Sequence, residues 1–478
     1  MLGPLSRGGP RECAMNRGLS LIYDSLPVSV QNALCTADGY RRFRRRFTPH
    51  FRQTLDAWTA SAHDPIERQR KRQWEALKRV MVLARRNTPY YRFLPDPIET
   101  GDAEESLQET LKAIPTLEKS VYRARTDDFL RRDVRWTAYH MRFTSGTTGS
   151  ALRIFDGIER LSENYAAVWR QRNSFGVQLE DPFLAFTGQL TTPLHQQSPP
   201  FWRRDRYSRR TLFSIYHMSP ENLKAYIGPI FESPARYAEG YPSALHLIST
   251  TMVEEGRCLP KGRLEAVFTS SESLLAHQRE TIEAAFSAPV RDHYASAEHV
   301  VSMASCAEGR LHVDMEFGIV EVEAKEETAD WVRGPIIVTG LGQPAAPMIR
   351  YRIGDIGTRS KHPCPCGRPG ETFLDIDGRI EDYVLTNEGH LVGRLDHVFK
   401  GRFDVAEAQI LQEKHGALTV KVVPSSSYNA GSEASLRRGM RKLVGSSMHI
   451  HIELVDQIGR EPNGKFRAVK STLEWPGR

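Results

Sequence analysis

The sequence predicts an α/β protein with a large N-terminal domain, an additional β subdomain and a small, mobile α+β domain at the C-terminal end. Between residues 237 and 294, short apolar segments that end in polar turns alternate with helical patterns. Beyond residue 309 strand patterns dominate, and a strand, a helix and a strand follow near the C-terminus. This order is typical of a helix-flanked sheet followed by a separate α+β unit. A chain of 478 residues is also too long for one ordinary core.

The sequence pattern of the N-terminal part predicts helices with a role in core packing and none in chemistry. Residues 19–46 and 65–87 carry amphipathic patterns, and residues 162–175 predict a further helix. Residues 191–210 combine three prolines with five arginines and one tryptophan. This segment predicts a mobile surface loop, with a lid over an anionic substrate as the alternative.

Strand and helix patterns alternate through the middle of the chain. Residues 153–155 predict a strand that forms a hairpin with the segment before residue 144. Further along, Ser273 is the expected cap of a helix whose core positions are Ile282 and Phe286. In the small domain, the helix is expected over residues 435–444.

Composition limits the class of protein. Lys and Arg number 65 against 58 Asp and Glu, and hydrophobic residues make up 40% of the chain. No apolar run approaches the roughly 20 residues that span a bilayer, and no apolar core of a signal peptide precedes residue 30. We therefore expect a cytoplasmic protein without membrane insertion or nucleic-acid binding, and the choice between monomer and homodimer stays open.

Residues 144–149 form the densest cluster of glycines and hydroxyls in the chain. Two glycines allow the backbone to direct several N–H groups into one concavity, which is how phosphate is commonly bound. A Walker P-loop would need Gly-Lys-Ser/Thr, but Gly149 is followed by Ser150 and Ala151. The cluster therefore predicts a phosphate site of another kind, and a polar surface turn is the alternative.

Polar turns follow three of the predicted strands, at residues 241–243, 271–273 and 294–298. Ligand sites of α/β sheets lie at the carboxyl ends of strands, so these turns are expected to face one crevice with residues 144–149. Asp355 stands between two glycines, where a carboxylate can accept hydrogen bonds from both hydroxyls of a ribose. An Asx turn is the alternative for Asp355.

The order of these motifs resembles the adenylate-forming superfamily, and within it the phenylacetate-CoA ligase family with its CapK-like branch. The resemblance extends from about residue 23 to residue 470. Five motifs carry it, at residues 144–149, 294–298, 351–357, 378–382 and 463–467. The sequence departs from the family pattern in two places: Ala295 and Ala297 replace its usual glycine and threonine, and residues 387–390 differ from those of common acyl-CoA synthetases.

The resemblance implies a domain division and a set of roles. Residues 1–377 would bind ATP and a carboxylic acid, residues 378–382 would be a hinge, and residues 383–478 would be a small mobile lid. The implied phosphate-binding residues are Thr144, Ser145, Gly146, Thr147, Thr148 and Gly149. Ser271, Glu272, Ser273 and Tyr294 would border adenine, Glu298 would hold Mg²⁺, and Asp355 with Arg379 would hold the ribose. Tyr241, Pro242 and Ser243 would line the acyl pocket, and Lys465 would be the mobile catalytic cation.

Physical chemistry favours the same roles for two of these groups. A carboxylate that attacks the α-phosphate brings anions together, so Mg²⁺ and a cation such as Lys465 must offset the charge. The sequence therefore predicts ATP-dependent formation of an acyl-adenylate and acyl transfer, with CoA as the principal acceptor. An amine or hydroxyl acceptor is the first alternative, and a non-catalytic zinc-containing binding protein is the second.

Four residues predict a structural zinc site. Cys364 and Cys366 form a close thiol pair, while Cys306 and His312 lie together just after residue 298. Three sulfurs and one imidazole complete a tetrahedral zinc site with no position left for substrate. His299 and His362 are the alternative nitrogen ligands, and unliganded thiols packed in a loop are the other interpretation.

Overall fold

The computed structural model describes residues 22–135, 139–143, 152–342, 344–379, 384–387, 391–392, 395–399, 404–425, 427–460 and 466–473. Helices and strands are numbered here in chain order. The helices are α1 (Val28–Arg46), α2 (Pro49–Ser61), α3 (Ile66–Asn87), α4 (Ala103–Lys112), α5 (Lys119–Ala124), α6 (Ile158–Ser174), α7 (Pro220–Glu232), α8 (Pro242–Glu254), α9 (Ala276–Phe286) and α10 (Ala430–Val444).

The strands of the large domain begin with a separate hairpin, β1 (Tyr139–Phe143) and β2 (Arg153–Gly157). The others are β3 (Phe183–Phe186), β4 (Trp202–Asp205), β5 (Arg210–Phe213), β6 (Tyr237–Gly240), β7 (Ala266–Ser270), β8 (Val290–Ala295), β9 (Ser302–Ser305), β10 (Leu311–Val313), β11 (Gly318–Val322), β12 (Glu326–Glu327), β13 (Trp331–Gly340), β14 (Tyr351–Ser360) and β15 (Thr372–Arg379).

These strands form one 13-stranded sheet in the order β11-β13-β14-β15-β10-β9-β8-β7-β6-β3-β5-β4, with β12 beside β13. The half from β5 to β8 is parallel, and helices α7, α8 and α9 connect its strands. The half from β8 to β11 is antiparallel. The predicted α/β sheet and the additional β subdomain are thus two halves of one continuous sheet.

Local sequence explains where several helices begin. Helices α2, α7 and α8 start at a proline, whose missing N–H would have no partner in the first turn. The side chain of Asn429 accepts hydrogen bonds from two backbone N–H groups at the start of α10.

The small domain has its own sheet and core. Its strands are β16 (Val384–Leu385), β17 (Leu391–Val392), β18 (Val405–Lys414), β19 (Ala417–Pro424), β20 (His449–Leu454) and β21 (Val469–Ser471). The order β20-β19-β18-β21 is mixed, because β18 pairs antiparallel with β19 while both outer pairs are parallel. Helix α10 packs on this sheet through Leu436 and Met440. The fold class predicted from the sequence is confirmed.

The structure corrects three local predictions. The segment 191–210 is not simply a surface loop, because it contains the edge strand β4. Arg203 of β4 is 1% exposed and its guanidinium donates to Gln31 and Gln196. Ser273 does not cap α9, which begins at Ala276 with the Leu275 N–H bonded to the side chain of Gln278.

The third correction concerns α10, which begins at Ala430 rather than residue 435, because Asn429 provides an earlier cap. The predicted hairpin before residue 155 is confirmed as the pair β1–β2. Among the helices within the described residues, none combines the length and apolar character needed to cross a membrane.

Candidate functional site

The predicted phosphate-binding residues 144–149 and Lys465 lie outside the described residues. The hairpin that flanks the first of these segments is described, and Phe143 pairs with Arg153 at the end where residues 144–152 connect the two strands. Arg142, two residues before Thr144, donates a hydrogen bond of 3.0 Å to the backbone oxygen of Ala297. This contact holds the hairpin against the motif that contains Glu298.

Two motifs that are far apart in the sequence exchange hydrogen bonds between their tyrosines and carboxylates. The Tyr294 hydroxyl, at the end of β8, donates to Asp355 Oδ2 at 2.5 Å. The Tyr351 hydroxyl, at the start of β14, donates to Glu298 Oε1 at 3.1 Å. Each motif therefore supplies a phenol that holds the carboxylate of the other motif, so the two acidic groups lie close together.

Tyr351 keeps its proton because of its surroundings. Its side chain is fully buried, and burial together with the nearby Glu298 carboxylate raises the pKa of the phenol well above its ordinary value. A phenol that stays neutral is a reliable donor to a carboxylate. Carboxylate oxygens are also the ligands that Mg²⁺ prefers, so the chemistry of Glu298 fits such an ion.

The predicted ribose residues are adjacent in the sheet. Asp355 of β14 pairs in register with Arg379, the last residue of β15. Gly378 and Arg379, the first two residues of the predicted hinge, thus belong to β15, and residues 380–382 lie outside the described residues. The hinge and the domain boundaries stay predictions.

Glu272 joins two of the predicted polar turns. Its Oε2 accepts a hydrogen bond of 3.1 Å from the N–H of Ser243 at the start of α8. Its Oε1 accepts a hydrogen bond of 2.6 Å from the N–H of Phe466 in the small domain. Burial raises the pKa of the Glu272 carboxyl, while these two N–H donors and Arg460 act against the rise. Ser271 and Ser273, on either side, are exposed.

The predicted acyl-pocket residues lie at the carboxyl ends of the parallel strands. Pro242 and Ser243 are buried in the first turn of α8, directly after β6. Burial raises the pKa of the neighbouring Tyr241 to about 12. The Tyr216 hydroxyl, which no motif of the sequence indicated, donates to the Gly188 carbonyl at 2.9 Å.

Three of the five non-glycine residues with positive φ among the described residues lie within or beside the motifs. Ser271 has φ of 74°, His299 has φ of 53° and Arg350 has φ of 49°. Such left-handed conformations are costly for residues with a Cβ and cluster at functional sites. Each of these three residues stands within or directly beside one of the motifs.

The four predicted zinc ligands come together in the structure. Cys306, His312, Cys364 and Cys366 place their ligand atoms within 4.8 Å of one another. The sulfurs of Cys306 and Cys364 are 3.7 Å apart, and Cys366 Sγ is 3.3 Å from His312 Nε2. Bonds of about 2.3 Å to sulfur and 2.0 Å to nitrogen in a tetrahedron require separations of about 3.8 Å between two sulfurs and about 3.5 Å between sulfur and nitrogen. The set fits a zinc ion with little rearrangement.

The alternative histidines are placed elsewhere. His362 Nε2 is 2.9 Å from Asp330 on the surface. His299 contributes its backbone oxygen to the guanidinium of Arg160, and it is not among the four clustered ligands. His312 is the histidine that lies beside the cysteines because its strand, β10, pairs with both β9 and β15, the two strands that flank the cysteines.

A buried polar network connects the zinc-ligand cluster with the strand that carries Tyr294. Asp314, which is 1% exposed, pairs with Arg170 of α6 and accepts a hydrogen bond from the Ser302 hydroxyl. Ser302 is also 3.1 Å from His293 Nε2, the residue before Tyr294. Arg368, two residues after Cys366, lies 3.7 Å from Asp314. Burial alone would raise the pKa of the Asp314 carboxyl, but the positive charges of Arg170 and Arg368 hold it below its ordinary value.

Sequence reasoning missed several of these contacts. Tyr351, Arg142, Arg460 and the N–H of Phe466 were given no role. One signal was available, because Tyr294 and Glu298 have the same four-residue spacing as Tyr351 and Asp355.

Comparison with solved structures defines the class of fold. The 2-hydroxyisobutyryl-CoA ligase, in the postadenylation state in complex with 2-HIB-AMP, superposes with a TM-score of 0.64 at 19% identity. The same ligase, in complex with 2-HIB-AMP and CoA in the thioesterification state, gives 0.54 at 21% identity. Both comparisons cover 86% of this chain and 91% of the ligase. The chain therefore has the fold of the adenylate-forming ligases.

Sequence comparison is more specific. Residues 384–472 match the family model of the CapK C-terminal domain. The chain is also 24% identical to Protein CapK of Staphylococcus aureus over 464 residues, which covers 95% of this chain and all of that protein. The resemblance drawn from the motifs is thus confirmed.

Proposed function

We propose that this protein activates a carboxylic acid with ATP as an acyl-adenylate and passes the acyl group to a second substrate, with CoA as the principal acceptor. The observation that carries the proposal is the reciprocal pairing of Tyr294 with Asp355 and of Tyr351 with Glu298. It joins the motif that contains Glu298 to the motif that contains Asp355. The fold shared with acyl-CoA ligases supports the same proposal.

The chain's residues would divide the work of the first step. Asp355 would accept hydrogen bonds from the two ribose hydroxyls, and Tyr294 would fix its orientation. Residues 144–149 would hold the phosphates, and Arg142 anchors their hairpin to Ala297. Glu298, oriented by Tyr351, would hold Mg²⁺, which supplies charge neutralisation at the phosphates when bound. The acid oxygen would attack the α-phosphorus while the bond to pyrophosphate breaks.

The second step would transfer the acyl group. A thiolate of the acceptor would attack the acyl carbon, and AMP would leave with the bonding electron pair. Tyr241, Pro242 and Ser243 would line the acyl pocket, with Tyr216 as an additional wall. Ala297 supplies no hydroxyl beside Glu298, where the family pattern has threonine. The proposal therefore assigns no α-phosphate contact to that side chain.

A structural zinc ion is part of the proposal. The three sulfurs and the imidazole of the cluster fit zinc in type and spacing, and four protein ligands leave no open position. The ion would fasten the β9–β10 turn to the segment before β15. No chemical step is assigned to it.

The decisive experiment is acid-dependent ATP–pyrophosphate exchange across a broad panel of carboxylic acids. We expect exchange with at least one acid and its loss without Mg²⁺. Trapping of products with CoA or with amines then identifies the acceptor, and amide formation without thioester would favour the alternative ligase. If no acid supports exchange while polyanions bind with steep salt dependence, a non-catalytic binding protein is favoured instead.

The variant that tests the proposed catalytic cation in the same exchange assay is Lys465→Ala. Removal of one preorganised charge typically costs about 3 kcal/mol of barrier, so exchange should fall at least about a hundredfold. The circular dichroism spectrum and the unfolding temperature should not change. Near-normal exchange in this variant would contradict the role of Lys465.

A further inference from the structure

The contact between Glu272 and Phe466 connects the two domains through a side chain on one side and the backbone on the other. Glu272 follows β7 of the large domain, and Phe466 precedes β21 of the small domain. The hydrogen bond from the Phe466 N–H to Glu272 Oε1 is 2.6 Å long. A carboxylate that accepts a backbone N–H makes a charge-assisted bond, which is stronger than a bond between neutral groups.

Neighbouring groups of both domains stabilise this contact. The second oxygen of Glu272 accepts the Ser243 N–H at the start of α8, which fixes the carboxylate to the large domain. On the small domain, the guanidinium of Arg460 lies 4.7 Å from the centre of the Phe466 ring. Arg460 is paired at 2.5 Å with Glu407 of β18, and its charge also acts on Glu272. The positive charge of Arg460 thus acts on two carboxylates, one from each domain.

Phe466 follows Lys465 directly in the sequence. The Phe466 nitrogen is covalently bonded to the carbonyl carbon of Lys465, so a group that fixes this nitrogen also limits the position of the lysine backbone. Lys465 itself lies outside the described residues.

We infer that Glu272 is a docking point for the small domain, and that it positions the segment of the catalytic lysine for acid activation but not for acyl transfer. This inference rests on the proposed function for its chemistry and gives Glu272 a positioning role instead of an adenine contact. The physical reason is that both of its oxygens are occupied by backbone N–H groups, one from each domain. When the small domain rotates, Glu272 loses Phe466, whereas the Arg460–Glu407 pair moves as one unit.

The test variant is Glu272→Gln. A carboxamide has one oxygen, so its NH₂ group must face one of the two N–H donors. We expect acid-dependent ATP–pyrophosphate exchange to fall about tenfold to a hundredfold, as expected for a charge-assisted hydrogen bond. Thioester formation from supplied acyl-adenylate and CoA should change less than about threefold. Equal losses in both half-reactions would overturn the inference.

A second measurement needs no substrate. Hydrogen exchange of the full chain should show faster exchange at residues 466–473 in Glu272→Gln, with β18 and β19 unchanged. The control is Glu265→Gln, because Glu265 forms an exposed ion pair with Arg236 in the same domain. Unchanged protection at residues 466–473 would overturn the docking role. If the wild type activates no acid but the protection still depends on Glu272, the proposed function fails while the docking point stands.

Discussion

Removal of Cys364, one of the four proposed zinc ligands, tests the proposed metal site and its structural role together. Cys364 is 5% exposed and its sulfur lies 3.7 Å from Cys306 Sγ, although the two residues are 58 positions apart. A crosslink that closes a loop of this length lowers the conformational entropy of the unfolded chain. This stabilises the folded state by about 4 kcal/mol. We therefore expect Cys364→Ala to lower the free energy of local opening around β9, β10 and residues 362–372 by about 4 kcal/mol.

The assay combines metal analysis with hydrogen exchange under native conditions. Protein purified without chelator should contain about one zinc per chain, and Cys364→Ala should contain much less. The control is Cys258→Ala, because Cys258 is exposed and lies outside the cluster. Wild-type protein without zinc, or full protection of these segments after chelation, would refute the reasoning.

Two further predictions concern single carboxylates. Asp355→Ala should raise the KM for ATP in the exchange reaction about tenfold to a hundredfold, because two ribose hydroxyls would lose a charged acceptor; an unchanged KM would rule out this role. Asp292 is half-buried and accepts a hydrogen bond from Thr269, and desolvation of its carboxyl raises its pKa to about 6. Since the folded-state pKa exceeds the unfolded value of about 4, stability should fall as pH rises from about 4 to about 6. Asp292→Asn should remove this part of the pH dependence of the unfolding temperature, and an identical profile in both proteins would contradict it.

The elements and the fold class follow from local patterns. Apolar periodicity located strands such as β8 and β19, and the buried positions Ile282 and Phe286 are as expected for α9. The errors occurred where a local signal was misleading. Prolines and arginines at residues 191–210 suggested a loop, but the arginine Arg203 is buried because Gln31 and Gln196 accept its hydrogen bonds.

The candidate site shows a similar division. The four clustered Cys and His residues could be predicted because ligand type and spacing are local properties. The choice of His312 over His362 depended on β10 lying between β9 and β15. The contact of Glu272 with Phe466 had no local signal, because its donor is a backbone N–H that every residue except proline carries.

The sequence by itself determined the motifs, their chemistry and the residues that can bind phosphate, hydroxyls or metal. The tertiary structure decided which of them meet. Strands β8 and β14 are four strand spacings apart in the sheet, about 19 Å if the sheet were flat, yet Tyr294 and Asp355 are hydrogen-bonded. Only strong curvature of the sheet brings them together, and curvature results from the packing of all strands rather than from any one segment.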